Sequence, residues 1–257
     1  MATLPNPLPK LAADPSGRAL GLRLPPGSLI DATDDGPWRE PLLWCAGRPV
    51  APGNWAALGT PAARVGLLPV LIELGGERVG PEDWELMPGE TTYPGDHDAE
   101  DVLAEYWEDC AGEEDGPWPG LAGGLPPAAA PDTRAAEVAD SLAGGRPWLK
   151  DPHLALVPAR RSADIPAAIG WSGPLNHDND VARLCAVLRS WEDRFGIRVV
   201  ALGFDHLTVS VAAPPGTYAE AEAVAAEHLA FCPDAADDLA ECARGLVGER
   251  TWHFWWE

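Results

Sequence analysis

Positive charge is scarce in this chain of 257 residues: 18 Lys+Arg stand against 40 Asp+Glu, a formal net charge of -22. Such a field repels phosphate backbones and anionic lipid surfaces, so a nucleic-acid or membrane-surface role is disfavoured. The densest basic spot is Arg160-Arg161, only two residues long. CxxC pairs are missing too. The five cysteines, Cys45, Cys110, Cys185, Cys232 and Cys242, are scattered and odd in number, a pattern that speaks against zinc ribbons and thioredoxin-like chemistry and fits reduced thiols. No run of about 18 apolar residues occurs, so no transmembrane helix is expected. The opening MATLPNPLPK lacks the apolar stretch of a secretory leader, and a cytoplasmic setting is expected. Phosphate loops (GxxxxGK[ST]), GxGxxG turns, internal repeats and heptad seams are absent as well. No cofactor and no metal is implied.

What is present suffices for a folded core: 46% of residues are hydrophobic. Gly and Pro are both abundant, at 27 and 28, which reflects loops, a GC-rich coding sequence, or both. Residues 1–30 show no steady period and read as an extended, partly ordered arm. Residues 37–60 hold Trp38, Trp44 and Trp55 among turn formers and predict short strands and loops. RVGLLPVLIEL at 64–74 is a strand-length apolar run, and Pro69 within it argues for an edge position or a bulge. Segment 98–111 predicts a helix with Asp98 as cap, an apolar stripe of Val102, Leu103, Tyr106, Trp107 and Cys110, and an acidic outer face. Residues 112–134, rich in Gly, Pro and Ala, read as a flexible linker. The expected domains are therefore a Trp-rich N-terminal region at 1–111, the linker, and a C-terminal domain at 135–257.

That C-terminal part is patterned more clearly. A short helix is expected at 134–143, a strand at 153–158 and a helix at 162–170 capped by Ser162. A long helix over 178–195 follows, with Val181, Leu184, Cys185, Leu188, Trp191 and Phe195 in one stripe and Gly196 as stop. IRVVALG and HLTVSVA then predict an antiparallel hairpin turning at Gly203-Phe204-Asp205. In its second strand Leu207, Val209 and Val211 alternate with Thr208 and Ser210, as in a sheet with one solvated face. Thr217 caps a helix to about Phe231, a further helix covers 235–247, and TWHFWWE closes as a short strand or aromatic tail. The fold class is α+β: an antiparallel sheet flanked by helices, preceded by an irregular Trp-rich strand and loop region.

The strings LRSWEDRFG, HLTVSVAAPP, AAEHLAFCPD and WHFWWE, spread over about residues 150–257, resemble a bacterial family catalogued as domain of unknown function 4253. GLLPVLIEL and PEDWELMPG resemble the region often fused upstream of it. The resemblance implies a small α+β domain and a cytoplasmic bacterial protein. It carries no reaction, ligand or catalytic residue.

Chemistry must therefore be sought residue by residue. Glu227, His228 and Cys232, with Asp234 beyond, could serve as metal ligands or as a nucleophile and base one helical turn apart. His228 also falls on the stripe Ala221, Val224, Ala225, Cys232, where it would be a core histidine with one satisfied hydrogen bond and Cys232 a small buried hydrophobe. Arg189, Glu192, Asp193 and Arg194 alternate in sign. They form either a buried Arg–Glu network that holds a ligand carboxylate or phosphate, or a solvated face with an Arg189–Asp193 pair. Asn176, His177, Asp178 and Asp180, like Asp96, His97 and Asp98, have metal-like spacing but suit turns and helix caps. Trp252, Phe254, Trp255 and Trp256 either close the core or anchor a partner.

Two functions from different classes follow. One is a non-catalytic protein-binding factor, immunity-like or accessory, that meets a basic protein partner through acidic surface and Trp anchors. The other is an enzyme with Arg189, Glu192, Glu227, His228 and Cys232 in a cleft between the two regions. A purely scaffolding role is the third reading.

Overall fold

The computed structural model describes residues 5–75, 80–112, 116–235 and 238–257. In chain order its regular elements are α1 (Pro9–Ala13), β1 (Gly27–Ile30), the two-residue strands β2 (Ala32–Thr33) and β3 (Gly36–Pro37), β4 (Leu43–Pro49), α2 (Asn54–Ala63) and β5 (Leu67–Glu73). Then come α3 (Ala99–Cys110), α4 (Pro131–Leu142), β6 (Pro152–Pro158), α5 (Ile165–Ile169), α6 (Val181–Phe195), β7 (Arg198–Leu202), β8 (His206–Ser210), α7 (Tyr218–Phe231), α8 (Leu239–Leu246) and β9 (Thr251–Trp255).

Local chemistry sets the ends of the main helices. Asp98 accepts hydrogen bonds from the Glu100 and Asp101 amides at the start of α3. Asp180 accepts from the Ala182 amide at the start of α6, and Gly196 takes the left-handed conformation that stops it. Thr217 and Glu220 form a reciprocal capping box on α7. Ser162, expected as a cap, instead pins β7, because its Oγ accepts the Val199 amide at 2.8 Å.

Seven strands form one mostly antiparallel sheet in the order β1-β4-β6-β5-β7-β8-β9. The β7–β8 hairpin is present, with β9 antiparallel beside β8 at the edge. Helices cover both faces. On one face Val70, Ile72, Val157, Val199, Val209 and Phe254 pack with the apolar stripes of α3, α5, α6, α7 and α8. On the other, Leu71, Leu154, Leu156 and Ala201 pack with Leu11, Trp55, Leu58, Val138 and Leu142 from α1, α2 and α4. The α+β class stands, with helical layers on either side of the sheet.

Several sequence expectations need correction. The predicted solvated face of β8 is buried, with Thr208 and Ser210 both 0% exposed, because α4 packs across β7 and β8. The strand with Pro69 is central rather than at an edge: β5 pairs antiparallel with β6 and parallel with β7. Pairing with β7 starts only at Leu71, so the missing Pro69 amide takes no bond from that ladder. Residues 54–63 are helical despite Pro61. The expected arm is anchored, with Leu8, Leu11 and Leu22 buried. The described part of the expected linker is docked rather than free. Ala122 is buried, the Leu125 amide donates to the Arg194 carbonyl at 3.0 Å, and the Ala128 amide donates to the Ala212 carbonyl at 2.8 Å. Residues 113–115 of that linker, and 236–237 of the helix expected at 235–247, lie outside the described residues. The N-terminal and C-terminal regions thus share one sheet.

Candidate functional site

Helices α6 and α7 cross beneath β9, and the residues singled out in the sequence gather there. Glu227 is fully buried on α7. Its two oxygens accept four N–H donors: the Ala122 amide at 2.7 Å, Trp191 Nε1 at 2.7 Å, and Arg194 Nη1 and Nη2 at 2.7 and 2.6 Å. Arg194 also donates to the Ala122 carbonyl at 2.8 Å and to Ser190 Oγ at 3.0 Å. A carboxylate removed from water survives only when its lone pairs are matched in this way. Glu227 therefore ties α6, α7 and the segment around Ala122 together, and its acceptor sites are taken.

His228, the next residue, lies in the core at 4% exposure. Its ring is packed by Trp191, Trp252 and Phe254 at centroid distances of 5.1, 4.5 and 4.9 Å. Burial pushes its pKa down to about 3, so the imidazole is neutral at pH 7. The core position is the one the helical stripe indicates, but the expected hydrogen bond is missing at Nε2, which is buried without a partner. Cys232 caps α7 at its C-terminal end, buried, with its thiol donating to the Trp255 carbonyl at 2.9 Å. Trp252, Phe254 and Trp256 point from β9 into the same core, each 2% exposed or less, whereas Trp255 on the opposite side is 43% exposed. Of the four proposed partner contacts, only Trp255 is at the surface.

The remaining candidates are dispersed. Arg189 donates to Asp164 at 2.5 and 2.9 Å and lies over the Tyr93 ring, so the expected Arg189–Asp193 pair is not made. Asp193 instead accepts from Arg161 at 2.6 Å. Glu192 accepts the Ala163 amide at 3.0 Å and stands between Arg161 and Arg198. Asp180 and Asp98 act as caps, Asp178 accepts from the Tyr106 hydroxyl at 2.5 Å, and His177 packs at a tilt against the Tyr106 ring. No group of three His, Cys, Asp or Glu among the described residues could hold a metal ion.

Beside the aromatic core, a recess of about 430 Å³ opens between α7, α8 and β9. Its lining includes the carboxylates of Asp234, Glu241 and Glu249, with His228, Cys242 and His253, and no Lys or Arg among the described residues. All three acids are exposed. Glu249 accepts the Arg250 and Thr251 amides, and Asp234 accepts the Glu257 amide, so these two carboxylates are held in place by backbone. His253, 4.1 Å from the Trp148 ring, has its pKa pushed down to about 4, chiefly by burial and then by neighbouring His206. Both imidazoles are thus neutral at pH 7, and nothing on the wall offsets the three acids. Helical periodicity does not reveal this recess, although the acids of AECARGLVGER are a signal that could have marked it.

No helix among the described residues is long and apolar enough to cross a membrane. None of the curated proteins and none of the solved structures compared with the chain matches it. The whole recess, β9 and the Glu227 cluster apart from Ala122 fall within residues 153–257, and that C-terminal region matches the family described as "Domain of unknown function (DUF4253)".

Proposed function

We propose that the protein is a cytoplasmic, non-catalytic binding factor for a basic protein partner. A Lys or Arg side chain of that partner enters the recess between α7, α8 and β9, and the exposed Trp255 supplies a flanking aromatic contact. The observation that carries this reading is the lining: three carboxylates, two neutral imidazoles and no cation among the described residues. The net charge of -22 supports it by steering cationic surfaces toward the molecule. Enzyme chemistry has less support. Glu227 is saturated, His228 is walled in by rings, Cys232 is committed to a backbone carbonyl, and Arg189 and Glu192 belong to separate ion pairs.

Calorimetric titration with an arginine-rich peptide tests the proposal, with a glutamate-rich peptide as control. The basic peptide should bind with an affinity that falls as salt rises. Exposed ion pairs are worth about 0.2–1 kcal/mol each, so Glu241→Gln with Glu249→Gln should weaken binding roughly 2- to 30-fold while leaving the fold intact. Unchanged affinity in the double variant, or no binding of the basic peptide at low salt, overturns it.

A further inference from the structure

A second, larger cleft, of about 610 Å³, has arginines in excess of carboxylates in its lining. It is framed by α2, the start of β5, the first turn of α4 and the turn after β6. Four guanidinium groups line it: Arg64, Arg160, Arg161 and Arg198. The chain has only 16 arginines, so a quarter of them meet at one place in a strongly acidic protein.

The protein's own carboxylates account for part of this charge. Arg198 donates to Asp132 at 2.8 Å and approaches Glu192 at 3.5 Å. Arg161 donates to Asp193 at 2.6 Å and approaches Glu192 at 3.6 Å. Arg64 is exposed and forms no ion pair among the described residues. Two further features point the same way. The first turn of α4, a helix of 12 residues, lines the cleft through Asp132 and Thr133, and no side chain caps its amides. Such amides favour anions, phosphate above all. Apolar Trp55, Leu68 and Pro69 form the opposite wall.

We infer that this cleft binds a small organic phosphate. The phosphate is held by Arg64 and the α4 amides, with Arg160 beside them, and the organic body lies against Trp55, Leu68 and Pro69. Arg161 and Arg198 are neutralised by Asp193, Asp132 and the shared Glu192, and they frame the site rather than charge it. A dianion suits this arrangement better than a carboxylate, because the two braced arginines already hold carboxylates and Arg64 with the α4 amides offers more donors than one carboxylate needs. The net charge that repels a polyanion does not exclude it, since a small ligand meets the local field of the cleft.

Calorimetry with phenyl phosphate as the probe tests the inference, with benzoate and phenol alongside. Phenyl phosphate should bind one to one, benzoate more weakly and phenol not at all. Arg64→Gln with Arg160→Gln, both at exposed positions, should keep the circular dichroism spectrum and weaken phenyl phosphate binding by about tenfold or more. Absence of binding at millimolar probe, or undiminished binding in the double variant, overturns the site. Benzoate binding as tightly as phenyl phosphate overturns the choice of phosphate. The Glu241→Gln, Glu249→Gln protein should bind phenyl phosphate normally, so this outcome is read independently of the acidic recess.

Discussion

Helix α7 and its neighbours hold carboxylates in two opposite conditions. Glu227 is fully buried and receives four N–H donors from three separate residues. Glu241, Glu249 and Asp234 are exposed around a recess with no cation on its wall among the described residues. The same chemical group serves the fold in the first case and faces solvent in the second. An acid inside a core must be matched by its own chain, whereas an acid in water need not be. Solvent-facing acids gathered in a concave place are therefore the more informative ones about function.

The sharpest way to break this comparison is Glu227→Gln. Removing the charge of the fully buried Glu227 leaves the partly buried Arg194 guanidinium beside a neutral amide, and breaking such a pair by taking away one partner costs about 3–5 kcal/mol. Urea denaturation should show a loss of that size; a loss no greater than that of the Glu241→Gln, Glu249→Gln protein would dissolve the distinction. An effect of the same order is expected from pH. The folded His228 pKa of about 3 lies below the ordinary 6.5, so the unfolded chain takes up the proton first on acidification. Stability from this group is complete above pH 6.5 and is lost as pH falls toward 3. His228→Leu should flatten that part of the stability profile, measured by denaturant midpoints across the range; an unaltered slope would show that other groups set it. The smallest effect belongs to Asp193→Asn. Its carboxylate is 69% exposed opposite Arg161, and exposed pairs of this kind contribute about 0–1 kcal/mol. A shift in thermal midpoint comparable to that of Glu227→Gln would put Asp193 in the wrong class.

Much of the helical layer over β9 was legible in the sequence. The stripe from Val181 to Phe195, the caps Asp98, Asp180 and Thr217, and the alternation of Trp252, Phe254 and Trp256 all report local periodicity, which tertiary packing here reinforces. The opposite layer was not. Pro61 disguised α2, and Pro69 argued against a central strand because its tolerance depends on where the neighbouring ladder begins. The segment around Ala122 looked like a linker because Gly and Pro report conformational freedom and say nothing about amides that dock onto a distant carboxylate. The donors to Glu227 arrive from α6 and from Ala122, and no spacing rule joins them. Likewise Arg160-Arg161 read as a two-residue basic spot, since Arg64 and Arg198 join it only once β5 and β7 lie side by side.

The placement of β5 between β6 and β7 has a consequence for how the molecule is made. During synthesis this strand leaves the ribosome before either of its neighbours, and both of its hydrogen-bonding edges stay unpaired until the chain has reached Pro152 and then Arg198. Closure over such sequence distances is slow compared with local hairpin formation. Nor can the polypeptide from Pro152 onward complete the sheet by itself, because its own strands leave an empty slot that only the upstream chain can occupy.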